Sequence, residues 1–483
     1  MHIDGIIAAA ATPSGKGGIG IIRISGKGGL TAVSEIFKSD KLANIMNAEP
    51  NYMYFGRIDA DGATDNGYMV FFKAPHSFTG EDTVELHCHG GEGILSSVLT
   101  ALFKRGVYPA ERGEFTKRAF LNGKLSLADA EGVIEMINAE STAALKAAYR
   151  MMSGVLSKEI YSMQNALKDI MSTLEAALDY PDETDIKIGD YTVVLCDLSA
   201  RAESLINSSK KSAFIKKGVN VALIGAPNTG KSSLLNVFLK KDRAIVTDLP
   251  GTTRDTLEES FEYGGVRFNI IDTAGLRDVK SVSDIIEKKG IERSYEAVKG
   301  ADMVLYVVDL NSRTEGMGES LSDGVAELKK KTLRISDIKP EIFDEKFKEI
   351  AGDAKTVVVF NKNDLVQFVG ESRGSIKIGE EKYEYFCVSA TEKEGTEDLL
   401  NFMTNLFVGN ETESELIANS RQTAALKRAN ESIKTALNSC GKVGTECTLL
   451  DIREAWECLG EITGETAGSD IVDGIFERFC LGK

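Results

Sequence analysis

From Met163 onward, apolar residues recur at Leu167, Ile170, Leu174 and Leu178, three or four positions apart, until Pro181. That spacing puts them on one helical face, and the proline predicts where the helix stops. Ala, Leu, Glu and Lys are equally dense from Glu413 to Leu437, which predicts another helix, and Leu449, Ile452, Trp456 and Leu459 continue the period toward the end. No proline falls between 110 and 180 and none follows Pro340, so long helices are permitted in both stretches. Residues 1–122 differ: they are rich in glycine and carry short β-rich runs such as Ile19-Gly20-Ile21-Ile22-Arg23-Ile24. They predict a separate α+β domain. Between the helical blocks, Val221-Ala222-Leu223-Ile224, Ile270-Ile271, Val357-Val358-Val359-Phe360 and Tyr385-Phe386-Cys387-Val388 are apolar throughout. Such runs mark parallel strands buried on both faces. The predicted organisation is multidomain α/β: an α+β domain at 1–122, helical blocks at 123–215 and 410–483 that pack as one bundle, and a doubly wound domain inserted at 216–409. Asn311 to Ala354 is longer than a tight crossover needs and reads as a surface insertion.

Each apolar run delivers polar residues at its end. Val221-Ala222-Leu223-Ile224 leads into Gly225-Ala226-Pro227-Asn228-Thr229-Gly230-Lys231-Ser232-Ser233, a complete phosphate-binding loop. Its glycines let successive N–H groups point into one concavity at a helix N-terminus, Lys231 would reach the β- and γ-phosphates, and Ser232 would ligate Mg²⁺. Asp272-Thr273-Ala274-Gly275 follows Ile271, as expected where an Asp orients the metal through water and a glycine N–H meets the γ-phosphate. Asn361-Lys362-Asn363-Asp364 follows Phe360. Asp364 is the specificity residue: its carboxylate accepts two hydrogen bonds from guanine, whereas adenine offers no matching donors and would leave a buried charge unpaired. Asn361 would tie this loop to the phosphate loop and Lys362 would lay its stem over the base. Ser389-Ala390-Thr391 would offer a backbone N–H to guanine O6. The ordered set predicts a Ras-like GTPase domain.

Composition narrows the setting. At 42% hydrophobic and 27% charged residues the 483-residue chain is ordinary for a globular protein of about three domains. No apolar run is long enough to span a membrane and no signal pattern opens the chain, so the expectation is a cytoplasmic protein without a membrane partner. Seven cysteines without a Cys-x-x-Cys pair argue against a disulfide framework or zinc knuckle. A net charge of −16 argues against general nucleic-acid binding but leaves room for RNA on local basic patches. Lys210-Lys211 with Lys216-Lys217, and Lys329-Lys330-Lys331, are such runs, though each also fits a solvated helix face. His87 and His89 would share one face of a strand, yet no further metal ligand stands at customary spacing.

Ala11-Thr12-Pro13-Ser14-Gly15-Lys16-Gly17-Gly18-Ile19-Gly20, the inserted nucleotide domain, Ser77-Phe78-Thr79-Gly80-Glu81-Asp82, Arg112-Gly113-Glu114-Phe115, Arg118-Ala119-Phe120-Leu121-Asn122 and the terminal Phe479-Cys480-Leu481-Gly482-Lys483 occur together. In these features the whole chain resembles the tRNA modification GTPase family called MnmE, also TrmE. The resemblance implies a GTP-hydrolysing homodimer that acts with a flavin- and NADH-using partner, MnmG, in a heterotetramer on tRNA. It implies installation of an aminomethyl or carboxymethylaminomethyl group at carbon 5 of the wobble uridine. It implies further that the one-carbon donor is 5,10-methylenetetrahydrofolate or 5-formyltetrahydrofolate, bound by an N-terminal domain that also dimerises.

Residue by residue, Arg23, Glu81, Lys124 and Lys483 match positions of folate binding in the family. Cys480 matches its terminal Cys-x-Gly-Lys thiol, as nucleophile or positioning group, with Leu481 where the family commonly has Ile. The residue after Gly275 is Leu276 rather than a water-orienting Gln. By resemblance the catalytic group is Glu287, ahead of Gly290-Ile291-Glu292-Arg293, with Asp284 as the alternative. No arginine finger is inferred. The family uses K⁺, implying Asn228 as a ligand with backbone oxygens of Thr247, Leu249 and Thr252. Thr253 would join Ser232 on Mg²⁺, making Thr247-Asp248-Leu249-Pro250-Gly251-Thr252-Thr253 the switch. The competing expectations are a ribosome-assembly GTPase and a signalling switch.

Overall fold

The computed structural model describes residues 5–180, 188–241, 259–271, 300–311, 331–334, 338, 354–409 and 418–483. The chain forms two compact units, one of residues 1–138, 146–209 and 416–483, the other of 139–145 and 210–415.

In the first unit, residues up to 122 build a seven-stranded sheet from β1 (Ile7–Ala10), β2 (Gly17–Ser25), β3 (Phe37–Lys38), β4 (Met53–Ala60), β5 (Ala63–Phe72), β6 (Thr83–Gly90) and β7 (Tyr108–Pro109). The order is β3-β4-β5-β6-β2-β1-β7, antiparallel except for the β1/β7 pair. Strict alternation in β4, with Tyr54, Gly56, Ile58 and Ala60 inward, turns one face into a core. Ile22, Ile24, Met69, Val84 and Leu86 join it beneath α1 (Gly29–Ser34) and α2 (Glu92–Phe103). The glycines of the β2 region serve this packing: a Cβ on Gly20 would stand 2.8 Å from Leu95, and one on Gly90 2.5 Å from the Gly17 carbonyl. By the period of two, Arg23 and Ser25 point to the opposite face, where Ile7, Ala9 and Phe115 of α3 (Glu114–Leu121) close a smaller cluster.

The helical part begins with α4 (Leu127–Asn138), α5 (Thr142–Met152), α6 (Val155–Asp179) and α7 (Ile188–Lys217). The second unit follows with β8 (Val219–Ile224), α8 (Lys231–Lys241), β9 (Glu259–Tyr263), β10 (Val266–Ile271), β11 (Met303–Asp309) and β12 (Lys331–Arg334). It continues through β13 (Lys355–Asn361), β14 (Val366–Val369), β15 (Arg373–Ile378), β16 (Glu381–Cys387) and α9 (Thr396–Phe407). Its sheet runs β15-β16-β13-β11-β8-β10-β9, with parallel neighbours inside and an antiparallel strand at each edge. A separate pair, β12 and β14, lies parallel. The connection from β13 to β16 therefore carries strands β14 and β15 where a doubly wound fold usually has a helix.

Back in the first unit, α10 (Ser420–Ser439), α11 (Thr445–Thr463) and α12 (Ser469–Phe476) complete the chain. Asn419 starts α10 with a capping box to Gln422. Ile160, Met163, Leu167, Ile170 and Leu174 of α6 close one core with Leu195 and Leu198 of α7, Leu426 and Ile433 of α10, and Ile452 and Leu459 of α11. Each such side chain contributes roughly 1.5–3 kcal/mol on burial. The core joins segments more than two hundred residues apart, so both helical blocks are needed to form it.

Candidate functional site

The nucleotide pocket grows from the ends of β8, β13 and β16, which deliver their polar residues to one edge of the sheet. Gly225 (φ +149°) lies so close to β11 that a Cβ would stand 2.1 Å from the Val307 carbonyl. A Cβ on Gly230 (φ +90°) would stand 2.2 Å from Asn361 Nδ2, so both loop glycines are required by close approach as well as by their dihedrals. Asn228 is exposed at φ 64°, a left-handed conformation that Asn tolerates. Thr229 is buried and its hydroxyl donates to the Ala226 carbonyl at 3.0 Å. Lys231 Nζ donates to the carbonyls of Gly225 and Ala226, each at 2.8 Å, and burial pushes its pKa down to about 8. Ser232 and Ser233 are exposed on the first turn of α8.

The candidate base-recognition loop, residues 361–364, is cross-tied. Asn361, 1% exposed, donates from Nδ2 to the Thr229 carbonyl at 2.9 Å and accepts from the Ala390 N–H at 3.1 Å. Ser389 Oγ donates to Asp364 Oδ1 at 2.6 Å, while the Ser389 N–H goes to the Glu394 carbonyl at 3.0 Å. Ser389 thus serves Asp364 through its hydroxyl, and the backbone N–H groups of Ser389 and Ala390, expected to face the base, both donate within the protein. The Asn363 N–H donates to the Val388 carbonyl, and Thr391 is exposed. Thr247, Asp248, Leu249, Pro250, Gly251, Thr252, Thr253, Asp272, Thr273, Ala274, Gly275, Asp284 and Glu287 lie outside the described residues, as does most of the expected 311–354 insertion.

A second constellation occupies the first unit. Arg23 Nε donates to Glu85 Oε1 at 2.9 Å, and its guanidinium lies 5.7 Å from the Phe78 ring centre and 5.8 Å from that of Phe115. His87 Nε2 is 3.4 Å from Glu85 Oε2, and this contact, reinforced by Arg23, holds the Glu85 carboxyl below its usual range against the opposing effect of burial. Glu81 faces a different partner: Arg118 Nη1 donates to it at 3.1 Å and Ser25 Oγ at 2.8 Å. Arg118 and Glu114, both 2% exposed, pair at 3.0 Å. Lys124 Nζ donates to the Pro75 carbonyl at 3.0 Å.

The C-terminal tail reaches this sheet. Phe476 and Phe479 are buried in a cluster with Leu127 and Val133, which anchors residues 480–483. Gly113 permits the approach, since a Cβ there would stand 2.4 Å from the Phe476 carbonyl. Gly482 (φ +88°) lies on the end of β1, where a Cβ would meet the Ala10 carbonyl at 2.1 Å. Lys483 is half-buried beside Arg23: burial first, then the Arg23 charge, lowers its pKa, while Cys480 and Glu85 oppose the shift. Cys480 itself is exposed. The two strand histidines have separate partners, His87 on Glu85 and His89 Nδ1 on Asp65 at 2.6 Å. Cys88 between them is buried, its thiol pushed up to about 11 by burial. Among the described residues no group of three or more His, Cys, Asp or Glu could hold a metal ion.

Comparison with known proteins connects the two constellations. Residues 127–480 match the family model of the MnmE helical domain, and residues 6–124 match that of the GTP-binding protein TrmE N-terminus. The chain is 37% identical to the tRNA modification GTPase MnmE of Clostridioides difficile, with 100% of both chains covered. It is 33% identical to that of Alkaliphilus metalliredigens and 35% to that of Carboxydothermus hydrogenoformans, again over 100% of both chains. The chain belongs to the MnmE family of tRNA modification GTPases. As a member of the MnmE family it is a GTP hydrolase, and the cross-tied loops are the candidate nucleotide site. The sequence pattern assigns no role to Glu85 or Asp309, and Arg118 stands in it only as part of a matching block. Glu85 carried a signal, because it sits two residues before His87 on the strand that pairs with β2.

Proposed function

We propose that this chain hydrolyses GTP to drive modification of carbon 5 of the wobble uridine of tRNA, as a homodimer in the cytoplasm working with the flavoprotein MnmG. The one-carbon unit comes from 5,10-methylenetetrahydrofolate or 5-formyltetrahydrofolate bound at the N-terminal sheet. The observation that carries this reading is the tail: Lys483 beside Arg23 and Glu85, in a chain whose nucleotide motifs are complete without it. The donor set suits a reduced folate. Carboxylates accept from a pterin's amino and amide edge, and Arg23, Lys124 and Lys483 suit a glutamate tail. Bound folate would supply the one-carbon unit; Arg23 and Glu85 would orient it, Glu81 would be held in place by Arg118, and Cys480 would act nearby as nucleophile or positioning group.

In the nucleotide pocket Ser232 and Thr253 would hold Mg²⁺, and Asn228 with backbone oxygens of Thr247, Leu249 and Thr252 would hold K⁺. Both cations offset negative charge on the β- and γ-phosphates, and Glu287 would orient the attacking water. The exposed, left-handed Asn228 suits this role, because it stands in the phosphate loop three residues before Lys231 with its side chain open to solvent. Equilibrium dialysis of 5-formyltetrahydrofolate tests the folate half. Saturable binding to the full chain, lost in Arg23→Ala, is expected; equal binding to both proteins would remove the folate assignment.

A further inference from the structure

β11 is buried along its whole length and ends on a carboxylate, Asp309, which is 8% exposed. A charge at the end of an apolar strand is costly unless it is paired and hydrogen-bonded. Both oxygens of Asp309 are engaged. Oδ1 accepts the Asn311 N–H at 2.9 Å, and Oδ2 accepts from Lys362 Nζ at 2.6 Å. The register sets Asp309 directly opposite Asn361, the residue before Lys362, and the Leu310 N–H donates to the Asn361 carbonyl at 3.1 Å.

Lys362 is consequently held at both ends. Its backbone takes a left-handed conformation (φ 64°, ψ 34°) next to Asn361, which is itself tied to the phosphate loop and to Ala390. Its ammonium is drawn to Asp309, so the four-carbon stem is stretched between β13 and β11 rather than free in solvent. A lysine stem in solution samples many rotamers and loses that freedom when a ligand fixes it.

We propose that Asp309 is a positioning residue for guanine recognition: by holding the Lys362 ammonium it presents the apolar stem as a ready-made wall for the purine ring. The assignment rests on the guanine-nucleotide reading of this pocket. Asp309 acts through Lys362, on the base side, so its removal should weaken ligands that carry guanine and spare ligands that are phosphate alone.

The experiment uses the full chain and two ligands, GDP and inorganic tripolyphosphate, titrated with Mg²⁺ present. Asp309→Asn keeps the size and the Asn311 contact but loses the charge. It should weaken GDP about ten-fold, the scale of re-ordering one long side chain, and leave tripolyphosphate unchanged. Lys362→Met keeps an apolar stem without the ammonium and should lose GDP affinity to a similar degree. In that background Asp309→Asn should cost nothing more, since the partner it acts through is gone. Unchanged GDP affinity in Asp309→Asn, equal losses for both ligands, or losses that simply add would overturn the proposal. If Asp309→Asn does not fold, Lys362→Met decides alone, and a loss of tripolyphosphate as large as that of GDP refutes it. Failure of the wild-type chain to bind GDP would instead overturn the nucleotide reading itself.

Discussion

Replacing Gly482 by alanine should detach the C-terminal tail while leaving the rest of the protein intact. The glycine sits at φ +88°, where an L side chain costs about 1–2 kcal/mol. Its new Cβ would also stand 2.1 Å from the Ala10 carbonyl, an overlap with backbone that no rotamer change relieves. Phe476 and Phe479 are buried upstream, so the available relief is for residues 481–483 to lift off β1. The dihedral penalty alone lowers the docked fraction about 5- to 30-fold, and the overlap adds to it. Folding should survive, because those three residues contribute nothing to the large cores. The assay compares modified wobble uridine in tRNA with GTP turnover for the same variant. Modification should fall by about ten-fold or more while turnover and thermal midpoint hold. Leu481→Ala is the control, being 58% exposed, and should behave like wild type. Normal modification by Gly482→Ala would refute the argument that the tail must dock beside Arg23 and Glu85.

Gly93→Ala in α2 adds a Cβ that meets nothing within 4 Å and should stabilise the fold by about 0.5–1 kcal/mol, whereas Gly132→Ala in α4 would stand 2.5 Å from the Met152 nitrogen and should destabilise it; thermal unfolding reads both signs. Lys231 has a pKa of about 8 in the fold against 10.5 unperturbed, so between those values the unfolded chain binds the extra proton and nucleotide-free stability should rise with pH. Over the same range GDP affinity should fall, about ten-fold per pH unit above 8, because phosphate needs the ammonium; Lys231→Arg should flatten that slope, and an identical slope in both would contradict the assignment. Exchanging K⁺ for Na⁺ should slow GTP hydrolysis by roughly an order of magnitude, and equal rates in the two salts would dismiss the Asn228 cation site.

The buried strands were legible because a parallel sheet covered on both faces favours apolar residues, so the C-terminal parts of β8, β13 and β16 appear as apolar runs that end where chemistry begins. The α6 face was legible for the corresponding helical reason: Met163, Leu167, Ile170 and Leu174 all lie in the core, whereas Leu178, the last of the expected series, is exposed in the final turn. Its start at Val155 was not, since Gly154 in a left-handed conformation precedes it without a side-chain cap. The strands β14 and β15 between β13 and β16 were also missed. In β15 the exposed Arg373, Ser375 and Lys377 alternate with inward residues, a weak pattern in an edge strand that a charged loop imitates. Pairing was the least legible level. Arg23 meets Glu85 because β2 lies beside β6 in one particular register, and Glu81, just before β6, meets Arg118 of α3 through tertiary packing; a single sequence carries no record of either pairing. For the same reason Asp309 reads in sequence as no more than the polar end of an apolar strand, although the register of β11 on β13 brings Lys362 onto it.

Whether GTP hydrolysis by this chain serves modification of the wobble uridine is tested most directly by the nucleosides of tRNA from a bacterial strain lacking its own MnmE and supplied with this chain. Restoration of the carbon-5-modified uridine by the wild type, and its absence with Lys231→Met, is the predicted result. Unmodified uridine with an actively GTP-hydrolysing wild-type chain, or full modification with Lys231→Met, would contradict the account.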